Sequence, residues 1–278
     1  MYVIKASGEM ERFRPEKLVR SLVKAGASKG LATQIANEVK LEIWNGITTY
    51  EILGLALEKL KARKESVLML KYDLKRALLS LGPSGYIFEK FISNLLKKYG
   101  YETETNVTLD GRCVSQEVDV VARKNGKSFM IECKYHNKRG IKTDLKVAMY
   151  TYARFLDLKE YFDGAWLICN TKCTSEAIKY CRCVGVRNTS WAYPPDNWSL
   201  ESMIERKALY PITILQTLDR EERNLALQSD IITVEDALTG GPEALISAGI
   251  NKKKAFSAMK EIKALIESYN SNKYVEER

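Results

Sequence analysis

The sequence predicts an α+β multidomain protein. It has a small, mostly helical N-terminal unit, a central unit of order αβββαβαβ with a mixed sheet, and a C-terminal helical module. Three observations predict this. Apolar residues recur at helical spacing through the first and last parts of the chain, whereas residues 103–134 are strand-like around an Asn-Gly turn. Gly82-Pro83-Ser84-Gly85 and Pro194-Pro195 interrupt the chain on either side of the central unit. Charge also divides it: residues 1–80 carry 15 Lys and Arg against 9 Asp and Glu, residues 81–190 carry 18 against 12, and residues 191–278 carry 11 against 14. The units are therefore placed at 1–82, 83–198 and 199–278.

The N-terminal unit opens on a very short hairpin, Tyr2-Val3-Ile4-Lys5 and Arg12-Phe13 around Ser7-Gly8. Pro15 starts a helix with Leu18, Leu22 and Ala25 on its inner face, stopped near Gly26. Ile35, Val39 and Ile43 mark a second helix over 31–44. Thr48 or Thr49 caps a third, carrying Ile52, Leu55, Ala56 and Leu60, and a fourth is expected over 65–81. Val3-Ile4-Lys5, Gly8, Glu11, Phe13, Lys17-Leu18, Ile47-Thr48-Thr49 with Glu51-Ile52, Tyr72 and Lys75-Arg76 together resemble the ATP-cone, the nucleotide-sensing module of ribonucleotide reductases and a related repressor. The resemblance covers about eighty residues. It implies ATP or dATP as an allosteric ligand, held by Val3, Lys5, Glu11, Arg14, Lys17, Thr49 and Lys75. The chain departs from the pattern at Ala6-Ser7, where the family has Arg-Asp.

In the central unit, Ser84 is expected to cap a helix with Phe88, Phe91, Ile92, Leu95 and Tyr99 as its inner stripe, Glu89 at the stripe's edge, and Gly100 as its end. A strand over 103–109 precedes the most informative stretch, Glu117-Val118-Asp119-Val120-Val121, Asn125-Gly126 and Met130-Ile131-Glu132-Cys133-Lys134. Asn-Gly selects a two-residue hairpin loop because both positions tolerate positive φ. Closed on that loop, Lys124 faces Lys127, Asp119 faces Glu132 and Glu117 faces Lys134, and all four outer charges share one strand face. Opposed carboxylates repel unless a cation lies between them, and oxygen ligands suit Mg2+ or Mn2+. The alternative is an exposed hairpin face with solvated charges, but the apolar neighbours make these strands central, where charge is unusual. Thr143 or Asp144 caps the next helix, Gly164-Ala165-Trp166-Leu167-Ile168-Cys169 is a buried strand, Thr174 caps a helix to about Cys181, and 184–191 is the last strand.

This order and these residues resemble the PD-(D/E)xK nuclease superfamily, with Mrr-type restriction endonucleases and archaeal Holliday-junction resolvases the nearest pattern. The resemblance implies Asp119, Glu132 and Lys134 as the acid–acid–lysine core and Glu89 as the helical acid completing a metal site of Glu89, Asp119 and Glu132. Lys146 or Tyr150 is the vaguer match for a polar residue on the next helix. The implied reaction is Mg2+-dependent hydrolysis of a DNA phosphodiester, with Lys134 orienting the attacking water. Lys138, Arg139 and Lys142 follow the site and are expected either to track a DNA backbone or to be ordinary loop charges.

From about Leu200 the chain is helical. Residues 231–237, Glu243-Ala244-Leu245-Ile246 and Ala248-Gly249-Ile250 before Lys252-Lys253-Lys254 resemble a helix-hairpin-helix or SAM-like module, either phosphate-binding or a packing element. The chain is expected to fray from Tyr274.

The formal net charge of +9 suits a polyanionic partner. No apolar run reaches the ~20 residues of a membrane span, and the start is no signal peptide. The six cysteines indicate a reduced, cytoplasmic protein. Cys169, Cys173, Cys181 and Cys183 cluster without zinc-knuckle spacing and read as buried thiols. His136 is the only histidine, which excludes a histidine-rich metal site. The leading reading is a Mg2+-dependent DNA endonuclease regulated by ATP or dATP. Both resembled families imply a homo-oligomer. The alternatives are a nucleotide-responsive DNA-binding regulator without catalysis and a degenerate nuclease fold serving as an interaction platform.

Overall fold

The computed structural model describes residues 1–276 of the chain. Strand β1 (Tyr2–Ile4) pairs antiparallel with β2 (Met10–Arg12) and parallel with β3 (Ile47–Thr48). Helix α1 (Pro15–Lys24) starts on its proline, and α2 (Lys29–Glu42) is capped by Ser28. Thr48 caps α3 (Thr49–Ala62) in a reciprocal capping box with Glu51. Leu18, Leu22, Ile35, Val39, Ile47, Ala56 and Leu60 form the core of this unit.

The expected fourth helix is two helices, α4 (Ser66–Tyr72) and α5 (Leu74–Leu79), broken at Asp73. Asp73 sits at φ −91°, ψ 0°, outside the helical well, and its buried carboxylate accepts from Arg76 Nε (2.8 Å). The break sends α5 into a second core: Leu74, Ala77 and Leu78 pack with Phe88 and Phe91 rather than with the N-terminal helices.

Helix α6 (Tyr86–Lys98) begins at Gly85 without a side-chain cap, so Ser84 does not play the expected role. Strands β4 (Glu102–Asp110), β5 (Ser115–Lys124) and β6 (Lys127–Lys134) form an antiparallel meander. After β7 (Lys142–Thr143), Asp144 caps α7 (Leu145–Asp157). Then follow β8 (Gly164–Cys169), β9 (Lys172–Cys173), α8 (Ser175–Val184) and β10 (Arg187–Thr189). The five-stranded sheet runs β10-β8-β6-β5-β4, parallel on the β6-β8-β10 side and antiparallel on the other. Both faces are covered, which is why the central strands are nearly continuous in apolar residues. One face packs Val120, Ala122 and Ile131 against Phe88 and Phe91 of α6. The opposite face packs Val121, Met130 and Leu167 against Ala148 of α7 and Ala177 of α8.

The C-terminal helices, α9 (Leu200–Lys207), α10 (Arg220–Gln228), α11 (Val234–Ser247) and α12 (Lys252–Glu276), share the α6 core through Tyr210, Ile212 and Leu245. Helix α11 is kinked at Gly241-Pro242, where Gly241 takes φ 69°. The α11–α12 turn falls where the sequence placed it, and Lys254 pairs with Asp219 (2.8 Å) and Glu222 (2.7 Å). Helix α12 continues to Glu276, past the point of expected fraying, and residues 277–278 lie outside those described. None of the described helices is long and apolar enough to cross a membrane.

Candidate active site and nucleotide cavity

The hairpin closes as its turn chemistry requires. Asn125 (φ 53°) and Gly126 (φ 71°) form the bend, and the register runs from Lys124↔Lys127 to Val120↔Ile131. It then stops. Asp119 and Glu132 are not a ladder pair, and neither are Glu117 and Lys134. Asp119 Oδ2 instead accepts the Cys133 N–H (2.7 Å), so the carboxylate stands in for the missing strand partner. On its other side, β4 and β5 pair at Thr105↔Val120 and Val107↔Val118 but skip Asn106 and Asp119, and Asn106 takes φ 56°. This irregular step shifts the alternation of faces: Val118 and Val121, three residues apart, both lie on the α7 side. The expectation that four charges share one face is thereby corrected. Glu132 and Lys134 follow Met130 onto the α7 side, Asp119 lies between the parted strands, and Glu89 comes from α6 on the other side.

The four acids nonetheless sense one another. Burial, then the charges of Asp119, Glu117 and Glu132, pushes the Glu89 carboxyl up to about 7. Burial and Asp119 likewise hold Glu132 at about 7, against the pull of Arg154. Asp119 is raised mainly by burial, with the Cys133 N–H and Arg154 opposing. Lys134, partly exposed at the end of β6, favours the charged form of both Asp119 and Glu132.

Arg154 was not anticipated from the sequence. It is buried on α7, pairs with Glu132 and the Glu117 carbonyl oxygen, and donates through Nε to Gln116 Oε1 (3.1 Å). The signal was available: Ala148, Thr151 and Arg154 recur every three residues on the buried stripe of α7, and a cation there needs an acid. Lys146 and Tyr150 are both exposed, and Tyr150 only underlies the Arg154 guanidinium at 5.4 Å. Among the described residues, no three His, Cys, Asp or Glu side chains gather closely enough to cage an ion, so the expected three-ligand set of Glu89, Asp119 and Glu132 is not assembled. The physical reason is their approach from two sheet faces, with Glu132 turned onto Arg154.

A cavity of about 400 Å³ lies between the N-terminal unit and the β6–β7 connection. Lys5, Thr49 and Lys75 line it, as the ATP-cone resemblance requires; Val3, Glu11, Arg14 and Lys17 do not. Val3 is in the core, and Glu11 holds Lys17 (2.7 Å) and Lys5 (3.2 Å) in ion pairs. Arg139 and Lys142 also line this cavity. Burial, followed by the charge of Lys172, pulls the Lys75 ammonium below its ordinary value.

Comparison with known proteins agrees with this architecture. The family model described as ATP cone domain matches residues 1–76, the one described as restriction endonuclease matches residues 82–187, and the one described as AF1548-like, C-terminal, matches residues 210–266. The chain is thus an ATP-cone fused to an Mrr-type restriction-endonuclease-like domain with a helical C-terminus. An uncharacterised protein of Archaeoglobus fulgidus is 44% identical over 176 residues, which are 63% of this chain and 99% of that protein. A solved structure, described as the protein of unknown function AF1548, superposes with a TM-score of 0.58 at 42% identity, covering 66% of this chain and 100% of its own. The chain belongs to the AF1548-like family. Looser likenesses to Can2 from Sulfobacillus thermosulfidooxidans and to VC1899 from Vibrio cholerae have TM-scores of 0.30 and 0.29 at 14% and 16% identity.

Proposed function

We propose that the protein is a divalent-metal-dependent DNA endonuclease whose activity is set by ATP or dATP bound to its ATP-cone. The observation that supports this reading is the burial of Glu89, Asp119 and Glu132 near one another: burial first, and then the charge of Asp119, pushes Glu89 and Glu132 up to about 7. An all-oxygen set that is mutually repelling and partly withdrawn from water fits Mg2+ or Mn2+. Asp119 and Glu89 would hold the ion, with Asp119 Oδ1 accepting no hydrogen bond among the described residues. A bound ion supplies an acidified water and neutralises charge developing on the phosphate. Lys134 would hold that water and screen the phosphate oxygens. Arg154 fixes the Glu132 carboxylate and is a positioning residue. Cations of the first two units supply the affinity for the DNA backbone.

Supercoiled plasmid incubated with Mg2+ tests the chemistry. Asp119→Ala and Lys134→Ala should abolish nicking while leaving the circular dichroism spectrum unchanged; wild-type rates in either variant end the proposal. The Glu132–Arg154 pair favours a second reading, a nucleotide-responsive DNA-binding regulator without catalysis. Retention of DNA with no metal-stimulated nicking by the wild-type chain would select it.

A further inference from the structure

The nucleotide cavity is lined from two domains. Its N-terminal wall supplies Lys5, Lys75 and Arg76, and its other wall supplies Arg139, Lys142 and Lys172. Facing these six cations is the carboxylate of Glu9, itself held by Lys5 (3.1 Å). Arg76 is engaged by Asp73, whereas Arg139 stacks on the Tyr50 ring at 4.3 Å and spends no hydrogen bond on an acid among the described residues. With Lys5 paired to Glu9 and Glu11 and Arg76 to Asp73, the cations left without an acid among the described residues are Lys75, Arg139, Lys142 and Lys172, and a chain of phosphates is an anion that several cations can bind together.

The two walls meet without space to spare. A Cβ placed on Gly140 would lie 2.2 Å from the Ala6 carbonyl oxygen and 2.9 Å from the Ser7 nitrogen, and Gly140 takes φ 82°. At Gly140 the β6–β7 connection therefore lies directly against the backbone of the β1–β2 turn. Ala6 and Ser7 are uncharged, Lys5 is the turn's one cation, and the β6–β7 connection lies against them. The charge on this side comes from Arg139, one residue away, and from Lys172, whose strand β9 pairs with β7 in register Lys142↔Lys172.

We infer that the restriction-endonuclease-like domain is itself part of the nucleotide site, with Arg139, Lys142 and Lys172 binding the polyphosphate of a nucleoside triphosphate whose base and sugar the ATP-cone holds. The inference rests on the nucleotide reading above and adds how the signal crosses domains. The connection carrying Arg139 leaves β6 directly after Lys134 and is pinned at its root by the His136 N–H donating to Asn170 Oδ1 (2.8 Å) and by His136 Nε2 meeting Thr143 Oγ1 (3.1 Å). Phosphates on Arg139 and Lys142 fix the segment that continues from the proposed active-site lysine, so occupancy is sensed without any rotation of whole domains.

Calorimetric titration of the full chain with ATP and with AMP tests this. Arg139→Gln and Lys172→Gln should each weaken ATP about tenfold, the loss expected for one hydrogen bond to a charged group, and should weaken AMP much less. Lys172→Gln is the variant safest for folding, since its side chain is exposed. Gly140→Val should weaken ATP by forcing the two walls apart. If the wild type binds ATP and R139Q/K172Q binds it within roughly twofold, the inference is wrong while the ATP-cone reading stands. Equal losses for ATP and AMP would mean these residues act only on domain packing, which also overturns it. Reduced DNA affinity with unchanged ATP affinity would return Arg139 and Lys172 to the DNA-binding surface. A wild type that binds no ATP at millimolar concentration removes the nucleotide reading and this inference together.

Discussion

Replacing Glu89 with Gln should make the metal-free protein more stable at alkaline pH while destroying its activity. Glu89 goes from an ordinary carboxyl value of 4.5 to about 7 on folding. Between those values the native state keeps a proton that the unfolded chain has released. The contribution of Glu89 to stability is therefore full below about pH 4.5 and is lost as pH rises to 7. A shift of this size corresponds to about 3 kcal/mol at full strength, and screening of a partly exposed group cuts it to roughly 1–2 kcal/mol. Glutamine keeps the shape and removes the charge. Urea denaturation in EDTA at pH 5 and pH 8 reads the difference: the variant should gain roughly 1–2 kcal/mol at pH 8 and much less at pH 5. Adding Mn2+ at pH 8 should restore stability to the wild type more than to E89Q, because the ion replaces the missing proton. A variant no more stable than wild type at pH 8, or a gain independent of pH, would show that Glu89 does not sit in an acid cluster.

Arg154→Met should destabilise the protein at pH 8 by about 3–5 kcal/mol, because it leaves Glu132 buried without its partner, and the loss should shrink toward pH 5 as Glu132 takes up a proton; thermal melts at the two pH values check it. Gly126→Val should cost about 1–2 kcal/mol, since valine is forced to φ 71° in open space, and chemical denaturation should show it with no change in the slope. Lys254→Ala should change stability by no more than about 1 kcal/mol and leave nucleic-acid retention on a filter unchanged, since its ammonium is committed to Asp219 and Glu222 at the surface.

The sequence made the scaffold legible because its signals are local. The Asn125-Gly126 bend, the Thr48–Glu51 capping box and the Asp144 and Thr174 caps each act within a few residues, and all are present in the structure. Counting outward from the bend gave the register for five pairs, down to Val120↔Ile131. It failed at the next pair, where the site begins. Strict alternation assumes an unbroken ladder, and Asn106 and Asp119 break it together from adjacent strands, a long-range event that neither strand announces alone. Arg154 could be placed on the buried stripe of α7, but its partner could not be read for a related reason: it is 22 residues away, and only the fold brings them into contact. The nucleotide residues divide the same way. Lys5, Thr49 and Lys75 were found through a family pattern, whereas Arg139 and Lys172 reach the cavity only because a second domain closes it.

The two candidate sites are electrostatic opposites joined by one piece of chain. Around Asp119, acids face acids and hold carboxyls toward their neutral form; around Lys75, cations face cations and pull an ammonium toward its neutral form. Burial is the larger cause at both, since each group is withdrawn from the water that would otherwise solvate its charge. On the proposed function, a divalent cation at the first and a polyphosphate at the second would relieve these arrangements. From Glu132 and Lys134 to Arg139 the chain crosses from one to the other within a few residues, while Gly140 ties the far end to the ATP-cone through backbone contact. Any ligand that orders Arg139 reduces the freedom of the segment on which Lys134 is anchored. Coupling of nucleotide to catalysis then requires only that this short segment be better fixed when the cavity is filled, a smaller demand than a hinge between domains whose walls already touch.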